Sequence, residues 1–316
     1  MFNMLQHQCA QAAVILGLLV MPVLGDSAPT KSVKQDGTGD YKTVQAAVDA
    51  VPDKNQQPTV IEIFPGRYQE RVLVPRGKDF ITLMGTGSSP NDVWVGEGKG
   101  QAPLTVHASN FRAENFTVEN TAGQIGPQNA LFADGKKQVF ERMVFDGWQD
   151  TAGIWDGCEA YFHNCDVRGS VDFIYSGGTA VFDHCNVIER RSDGGPVAAP
   201  STPKKVPFGL VFLDCHLVKG EGVSPNTSSL MRPWLPNGQT AFINCVMDDH
   251  ITDRAWDPWD GRENTCRAAE YGSKTPSGTS IDLSKRAAWV QRLTAAQAAA
   301  YTPAKIFNGW DPTNSQ

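Results

Sequence analysis

The chain has 316 residues, with 28 Lys and Arg against 34 Asp and Glu, so its net charge is −6. This charge argues against a nucleic-acid partner, because binding to phosphate backbones needs clustered Lys and Arg. An acidic polysaccharide stays compatible with it, since such a ligand needs only a local basic patch.

The N-terminal segment is typical of a secretory signal peptide. Its apolar run from Ala12 to Gly25 is short for a membrane span, and small residues and a polar turn follow it. We predict a signal peptide over residues 1–28, a single domain over residues 29–316, and secretion to the extracellular space or periplasm. The stretch before the apolar run has no Lys or Arg, so an uncleaved anchor is the alternative.

Short helices are predicted near both ends of the mature chain. Val44–Val51 is rich in alanine and follows Thr43, a residue type that caps helix N-termini. A helix there would close the open end of a solenoid. Residues 284–300 also have helical character, with Leu293, Ala296 and Ala299 on one face, and we expect this second helix on the outside of the fold.

Between these ends, one short pattern recurs in which Phe precedes Cys by three residues. It appears as YFHNC, VFDHC, VFLDC and AFINC, ending at Cys165, Cys185, Cys215 and Cys245, at steps of 20, 30 and 30 residues. A β-rich unit repeated at this spacing predicts an all-β fold, a parallel β-helix of stacked coils, over the alternative of an antiparallel sandwich. Cys165 and Cys185 would lie one strand spacing apart, which permits either a disulfide or stacked free thiols.

Two aspartates occupy equivalent positions in consecutive coils. The segment from Val139 to Asp150 aligns without gaps on that from Tyr161 to Asp172, at an offset of 22 residues. Equivalent positions on neighbouring coils lie about one strand spacing apart, so the two carboxylates would repel each other. One can then stay ionised while the other holds a proton near neutral pH, as acid–base chemistry requires. The alternative is that both are turn aspartates bonded to the backbone.

Several blocks of this sequence resemble the signature motifs of pectin methylesterases. The central ones are Gln149-Asp150-Thr151 after Gly147, the run Gly169–Ile174, and Arg232-Pro233-Trp234, with Gln128 upstream. Further matching blocks over most of the mature chain are Asp36–Tyr41, Pro65–Glu70, Asn120–Gly123, Asp249–Ile251, Ala269–Gly272 and Gly309–Asp311. The resemblance implies a right-handed parallel β-helix that acts on pectin without a cofactor or a metal.

The resemblance also implies roles for individual residues. Asp172 would attack the methyl ester at C6 of a galacturonate unit, with Arg232 keeping its carboxylate ionised. Gln128 and Gln149 would donate hydrogen bonds to the oxyanion, and Asp150 would be the acid and then the base. The substrate-binding residues implied at the groove are Trp234, Tyr175 and Val171. We expect a monomer that does not associate with membranes once the signal peptide is removed.

Three departures from the family pattern bear on substrate preference. Met231 and Ser176 stand where the family usually has Gly, and Ala152-Gly153 stands where Leu-Tyr is typical. One alternative is therefore a related esterase or thioesterase with another substrate.

Two further alternatives share the fold. One is a calcium-dependent pectate lyase whose aspartates bind Ca²⁺, with Asp146, Asp150, Asp166 and Asp172 as the candidate ligands. The other is a pectin-binding protein without catalysis. No Gly-x-Ser-x-Gly or His-Glu-x-x-His motif is present, so the sequence does not support a serine esterase or a zinc protease.

Overall fold

A computed structural model describes residues 28–314, and the chain forms three parallel β-sheets that run the length of one solenoid. Each coil contributes one strand to each sheet in most of the solenoid. The strands of the three sheets all pair in parallel, for example Phe140 opposite Phe162 and Val144 opposite Asp166. The predicted all-β parallel β-helix is confirmed.

The eleven strands of the first sheet are, in spatial order, Thr30–Val33, Thr59–Ile63, Ile81–Gly85, Arg112–Glu114, Gln138–Glu141, Glu159–His163, Thr179–Asp183, Leu210–Leu213, Gln239–Ile243, Arg267–Tyr271 and Gln291–Arg292. The eight strands of the second sheet are Gly66–Gln69, Val93–Glu97, Thr117–Asn120, Val144–Asp146, Asp166–Gly169, Asn186–Glu189, His216–Lys219 and Val246–Met247. The seven strands of the third sheet are Val72–Val74, Leu104–Val106, Leu131–Ala133, Ala152–Ile154, Ile174–Ser176, Pro196–Pro200 and Ser229–Met231.

The predicted repeat is a column of stacked phenylalanine rings inside the first sheet. Phe162, Phe182, Phe212 and Phe242 stack with centroid separations of 4.5, 4.9 and 4.3 Å and interplanar angles of 10°, 12° and 2°. Phe140 extends the column at 4.6 Å from Phe162. Because the strands are in register, equivalent side chains lie one strand spacing apart, and rings stacked face to face fit that spacing.

A second column holds the repeated cysteines as free thiols. All six cysteines of the described residues are unpaired, so the disulfide considered for Cys165 and Cys185 is not formed. The buried Sγ of Cys165 lies 3.3 Å from the carbonyl oxygen of Phe140, and that of Cys185 lies 3.4 Å from the carbonyl oxygen of Phe162. Each thiol therefore behaves as a small core residue that bonds to the preceding coil.

The predicted N-terminal helix spans Val44–Asp49 and closes one end of the solenoid. Thr43 is its N-cap, with Oγ1 accepting from the backbone N–H of Ala46. The carboxylate of Glu70 accepts the backbone N–H groups of Val44 and Gln45, which would otherwise lack partners at the helix start. Val44, Ala47 and Val48 are buried against the first strands.

The prediction of one helix over residues 284–300 is wrong. The segment contains a 3-10 turn at Leu283–Lys285, the strand Gln291–Arg292 and a single helical turn at Ala295–Ala298. Leu293 and Ala298 are buried, whereas Ala296 and Ala299 are exposed. Pairing of Gln291–Arg292 with the preceding strand of the first sheet overrides the helical propensity of this alanine-rich stretch.

Only part of the C-terminal segment lies outside the solenoid as expected, because Ala287 and Val290 pack in the interior core and Gln291–Arg292 joins the first sheet. With the helix Pro303–Ile306 this outer part covers outward-facing residues of the first sheet, where Leu293, Ile306 and Phe307 pack with Val181, Val211 and Ala241. The remaining short elements are the 3-10 turns Pro90–Asp92, Arg262–Asn264 and Pro312–Asn314.

The predicted signal peptide lies outside the described residues apart from its last position, Ala28. Within residues 28–314, no helix combines the length and the apolar character that a membrane crossing requires.

Replacement of one ring in the phenylalanine column tests its contribution to stability. Phe182→Ala removes a fully buried ring between two stacked neighbours and should lower the free energy of unfolding by ~3–5 kcal/mol. Urea unfolding followed by circular dichroism measures this, with Ile125→Ala at a 55% exposed position as control. Equal stability losses in the two variants would contradict the stacked-core assignment.

Candidate active site

Asp150 and Asp172 lie in the same turn of two neighbouring coils, between the second and third sheets. The flanking strands keep the predicted offset, with Ala152 opposite Ile174. Both aspartates have left-handed backbone conformations, with φ of 64° and 51°, which Asp tolerates better than most residues. The alignment therefore predicted the correct register, and the two acidic side chains extend from equivalent backbone positions.

A glycine three residues before each aspartate makes this turn possible. A Cβ on Gly147 would lie 2.6 Å from Oγ1 of Thr151, and a Cβ on Gly169 would lie 2.1 Å from Cβ of Phe173. Any other residue would displace the buried side chain that follows the aspartate. The Gly-x-x-Asp spacing seen in the sequence is thus a steric requirement of the turn.

Arg232 binds Asp172 through two hydrogen bonds. Its Nε donates to Oδ1 at 2.8 Å and its Nη2 donates to Oδ2 at 2.5 Å, the fork geometry in which guanidinium matches carboxylate. Burial raises the pKa of Asp172, and the hydrogen bonds and charge of Arg232 oppose that rise. Hydrogen bonding to Asp172 in turn raises the pKa of Arg232, so the cation is retained.

Asp150 differs from Asp172 in how Arg232 acts on it. Burial and the neighbouring charge of Asp172 raise the pKa of Asp150 to about 7, while Arg232 lowers it only through its charge. The side chain of Gln149 also lowers this pKa by hydrogen bonding to the carboxyl group. Of two carboxyls in equivalent turns, Asp150 is therefore the one that holds a proton near neutral pH.

The two predicted glutamines flank the carboxyl pair. The backbone N–H of Gln128 donates to the carbonyl of Gln149 at 3.1 Å, which joins the two residues across adjacent coils. The Oε1 of Gln128 accepts the N–H of Gly100 at 3.0 Å. Because this bond occupies the amide oxygen, the amide N–H₂ of Gln128 is the end available to a ligand.

The three residues predicted to bind substrate have different surroundings. Trp234 is half-buried and packs edge-on against Tyr175, with ring centroids 5.8 Å apart. Tyr175 is only 8% exposed, because Trp155 packs on its other side with the two ring centroids 6.3 Å apart. Val171 is half-buried, and its carbonyl accepts the N–H of Asp150. Trp234 and Val171 are thus partly accessible at the groove, whereas Tyr175 is largely covered.

Sequence reasoning missed two residues that contact the predicted set. The Cζ atom of Arg232 lies 4.1 Å from the centroid of the Trp259 ring, in a cation–π arrangement. Asn129 donates from Nδ2 to the carbonyl of Asp150 at 2.8 Å and to the hydroxyl of Tyr175 at 3.0 Å. Asn129 directly follows Gln128, and this position could have marked it as a site residue. Nothing in the sequence around Trp259 marked that residue.

The departures from the family pattern lie on different sides of the sheet. Met231 is fully buried, so the change at that position alters the core and leaves the groove surface unchanged. Ser176 is also fully buried, and its φ is 96°, a value that favours glycine. Among the residues that the structure describes, its hydroxyl has no hydrogen-bond partner. Gly153, which pairs with Phe132 and Tyr175, faces outward beside Asp150.

The four aspartates considered as Ca²⁺ ligands are not brought together. Asp146 pairs with Arg168 and Arg190, and Asp166 also pairs with Arg168. Across residues 28–314, the group close enough to share a metal ion is Asp183, His184 and Asp214. It lies at the turn between the first and second sheets, and two of its three members are exposed.

This chain is similar to known proteins over most of its length. A family model described as pectinesterase matches residues 30–310. Pectinesterase 31 of Arabidopsis thaliana is 34% identical, over 83% of this chain and 86% of its own length. The probable pectinesterase/pectinesterase inhibitor 58 of the same plant is 33% identical over 89% of this chain and 53% of its own, so the chain spans about half the length of that relative. The solved pectin methylesterase from carrot is similar with a TM-score of 0.83 and 26% identity, over 92% of this chain and 97% of that one.

The raised pKa of Asp150 makes a prediction for stability. Because the folded state binds this proton more tightly than the unfolded chain, Asp150 lowers stability as pH rises from about 4 to about 7. Asp150→Asn removes the free-energy cost of ionising this buried carboxyl. At pH 8 the melting temperature of the variant should therefore exceed that of the wild type by roughly 2–5 °C. At pH 4, where Asp150 is protonated in the folded protein, the two melting temperatures should be nearly equal. Differential scanning calorimetry measures this, with Asp156→Asn at an exposed position as control. A gain that is the same at both pH values would contradict the shifted pKa.

Proposed function

Because the chain belongs to the pectinesterase family, we propose that it hydrolyses the C6 methyl esters of polygalacturonate in pectin to give pectate and methanol. The observation that carries this proposal is the bidentate bond of Arg232 to Asp172, on the coil next to that of Asp150. It supports an ionised carboxylate beside a protonated one, which is the pair that an aspartyl esterase needs.

In the first half of the reaction, the carboxylate of Asp172 attacks the ester carbonyl carbon. The negative charge that develops on the carbonyl oxygen is stabilised by the side-chain amides of Gln128 and Gln149. When the C–O bond to the methoxy group breaks, Asp150 donates its proton and methanol leaves. The product is an acyl-enzyme in which Asp172 is joined to the galacturonate carbonyl as an anhydride.

In the second half, water enters the position that methanol left. Asp150, now ionised, takes a proton from the water as its oxygen attacks the galacturonate carbonyl of the anhydride. The bond to Asp172 breaks, its carboxylate returns to Arg232, and a free galacturonate carboxyl is released. Asp150 is left protonated for the next cycle, so no cofactor or metal takes part in the proposed steps.

The surface beside the carboxyl pair supports a polymeric substrate. A cavity of about 340 Å³ begins at Gly100 and Asn129 and is lined by Leu73, Ala102 and Phe132. Trp234 presents a partly exposed ring on the other side of Tyr175. Aromatic and aliphatic faces of this kind pack against sugar rings. Pectin is therefore the proposed partner, bound by a secreted monomer.

Substitution of each carboxyl tests the proposed chemistry. Asp172→Asn should abolish methanol release from methylated pectin, and Asp150→Asn should lower kcat by at least ~10²-fold because the acid and base are lost. Asp166→Asn, an aspartate paired with Arg168 on the second sheet, is the control and should stay within about twofold of wild type. Circular dichroism verifies that each variant is folded.

The same assay distinguishes the alternatives. Calcium-dependent formation of unsaturated sugar ends without methanol would replace the esterase by a lyase. Hydrolysis of other esters with methylated pectin left intact would replace the substrate while keeping the mechanism. Full activity in Asp172→Asn would show that Asp172 is not the nucleophile.

A separate variant tests oxyanion stabilisation. Gln128→Ala removes an amide that Gly100 orients, and loss of one such donor should lower kcat by about 10²-fold with little change in KM. Gln56→Ala, an exposed amide that does not line the proposed substrate cavity, should leave kcat unchanged. A rise in KM at constant kcat in Gln128→Ala would indicate that the amide binds the substrate ground state instead.

A further inference from the structure

Gly153 leaves an open position on the outward face of the third sheet, directly beside Asp150. Its register partners on the two neighbouring strands are the aromatic residues Phe132 and Tyr175. A Cβ at Gly153 would lie 3.0 Å from Nδ2 of Asn129 and 3.0 Å from the hydroxyl of Tyr175. The space over this glycine is therefore filled by a polar pair that comes from the coils on either side.

The two members of this pair are bonded to each other, and Asn129 is also bonded to the backbone of Asp150. Nδ2 of Asn129 uses its two hydrogens on the hydroxyl of Tyr175 and on the carbonyl of Asp150, at 3.0 and 2.8 Å. The hydroxyl of Tyr175 lies 3.3 Å from Oδ1 of Asn129 and can return a weaker bond. Asn129 is itself held, because its carbonyl accepts Nδ2 of Asn120 at 2.7 Å.

Hydrogen bonds hold the backbone of Asp150 on both sides. Its backbone has φ of 64°, in a region where non-glycine residues are held by surrounding contacts. The N–H of Asp150 is bound by the carbonyl of Val171, and Asn129 binds its carbonyl. These two bonds fix the backbone position from which the carboxyl group of Asp150 extends.

We propose that Asn129 and Tyr175 form a positioning pair for Asp150, for which Gly153 supplies the space. This inference rests on the proposed esterase function. It differs from the sequence-based expectation that Tyr175 binds substrate, because the ring of Tyr175 is covered by Trp155 and Trp234 and its hydroxyl bonds to Asn129. In this proposal both members act through Asp150. Because Asn129 also lines one end of the cavity described above, the test separates a loss of kcat through Asp150 from a change in KM through a substrate contact.

The primary test is a double-mutant cycle. Tyr175→Phe keeps the ring and removes the hydroxyl, and should lower kcat about 5- to 20-fold with KM within twofold of wild type. Asn129→Ala removes both bonds and should lower kcat further. The double variant should be no slower than Asn129→Ala alone, because residues that act as one unit are not additive. Tyr301→Phe, a half-buried tyrosine packed on Phe208 at the outer face of the first sheet, is the control.

Gly153→Ala tests the space without removing a hydrogen-bonding group. The backbone at Gly153 does not require glycine, but the new methyl group must displace the amide of Asn129 or the hydroxyl of Tyr175. This variant should therefore lower kcat in the same direction as Asn129→Ala. Gly98→Ala is the matched control, since its nearest atom, Oγ1 of Thr121, is 3.5 Å away, and it should keep full activity.

Two readouts separate positioning from a structural role. The first is the limb of the pH profile of kcat/KM that Asp150 controls, which should move to lower pH in Tyr175→Phe and Asn129→Ala, because a carboxyl that is less firmly held becomes better hydrated. The second is titration of the Asp150 carboxyl carbon by NMR, which needs no turnover and should show the same shift. If the wild type releases no methanol from pectin, the proposed function fails, and the NMR titration still decides whether the pair controls Asp150.

Three results would overturn the proposal. A change confined to KM in Tyr175→Phe would make the hydroxyl a substrate contact. Additive losses in the double variant would show that the two residues act independently. An unshifted NMR titration of Asp150 in Asn129→Ala would show that the pair does not control this carboxyl, whatever the effect on rate.

Discussion

The chemistry proposed for this site depends on one ion pair, between Arg232 and Asp172. A repeating fold makes equivalent positions alike, and Asp150 and Asp172 have the same turn, the same preceding glycine and similar backbone angles. In equal environments the two carboxyl groups would have the same affinity for a proton. Arg232 removes this symmetry because both of its hydrogen bonds go to Asp172. Asp150 is left with burial and a nearby negative charge, and both favour its protonated form.

Arg232 reaches Asp172 because the coils are in close register. Its backbone N–H bonds to the carbonyl of Ala198, on the coil between its own and that of Asp172. Trp259 packs on the guanidinium plane, and this limits the positions that the side chain can adopt. The rigid stack of Phe rings in the first sheet and the column of thiols beside it keep successive coils at one spacing. The position of Arg232 relative to Asp172 thus depends on the packing of the core as much as on the turn itself.

The solenoid also separates changes in the core from changes in the groove. Along a strand, neighbouring side chains point to opposite faces, so Met231 and Ser176 alter the interior while Gly153 alters the outer surface. The outer change is accompanied by Asn129 and Tyr175, whose polar groups occupy the space over the glycine. These three residues come from consecutive coils. The outer face of a strand can therefore change while the core side chains of the same strand stay in place.

The sequence by itself determined the parallel coils, the capped N-terminal helix and the register of Asp150 on Asp172. These features follow from short-range patterns, a repeat and an N-cap, that need no knowledge of distant contacts. The tertiary structure alone decided the C-terminal segment, where pairing of Gln291–Arg292 with the first sheet replaced the predicted helix. It alone also revealed Trp259 on Arg232, Asn129 on Asp150 and the free thiols of Cys165 and Cys185. These contacts join residues from separate coils and aperiodic loops, whose side-chain positions are set by packing and leave no periodic signal in the chain.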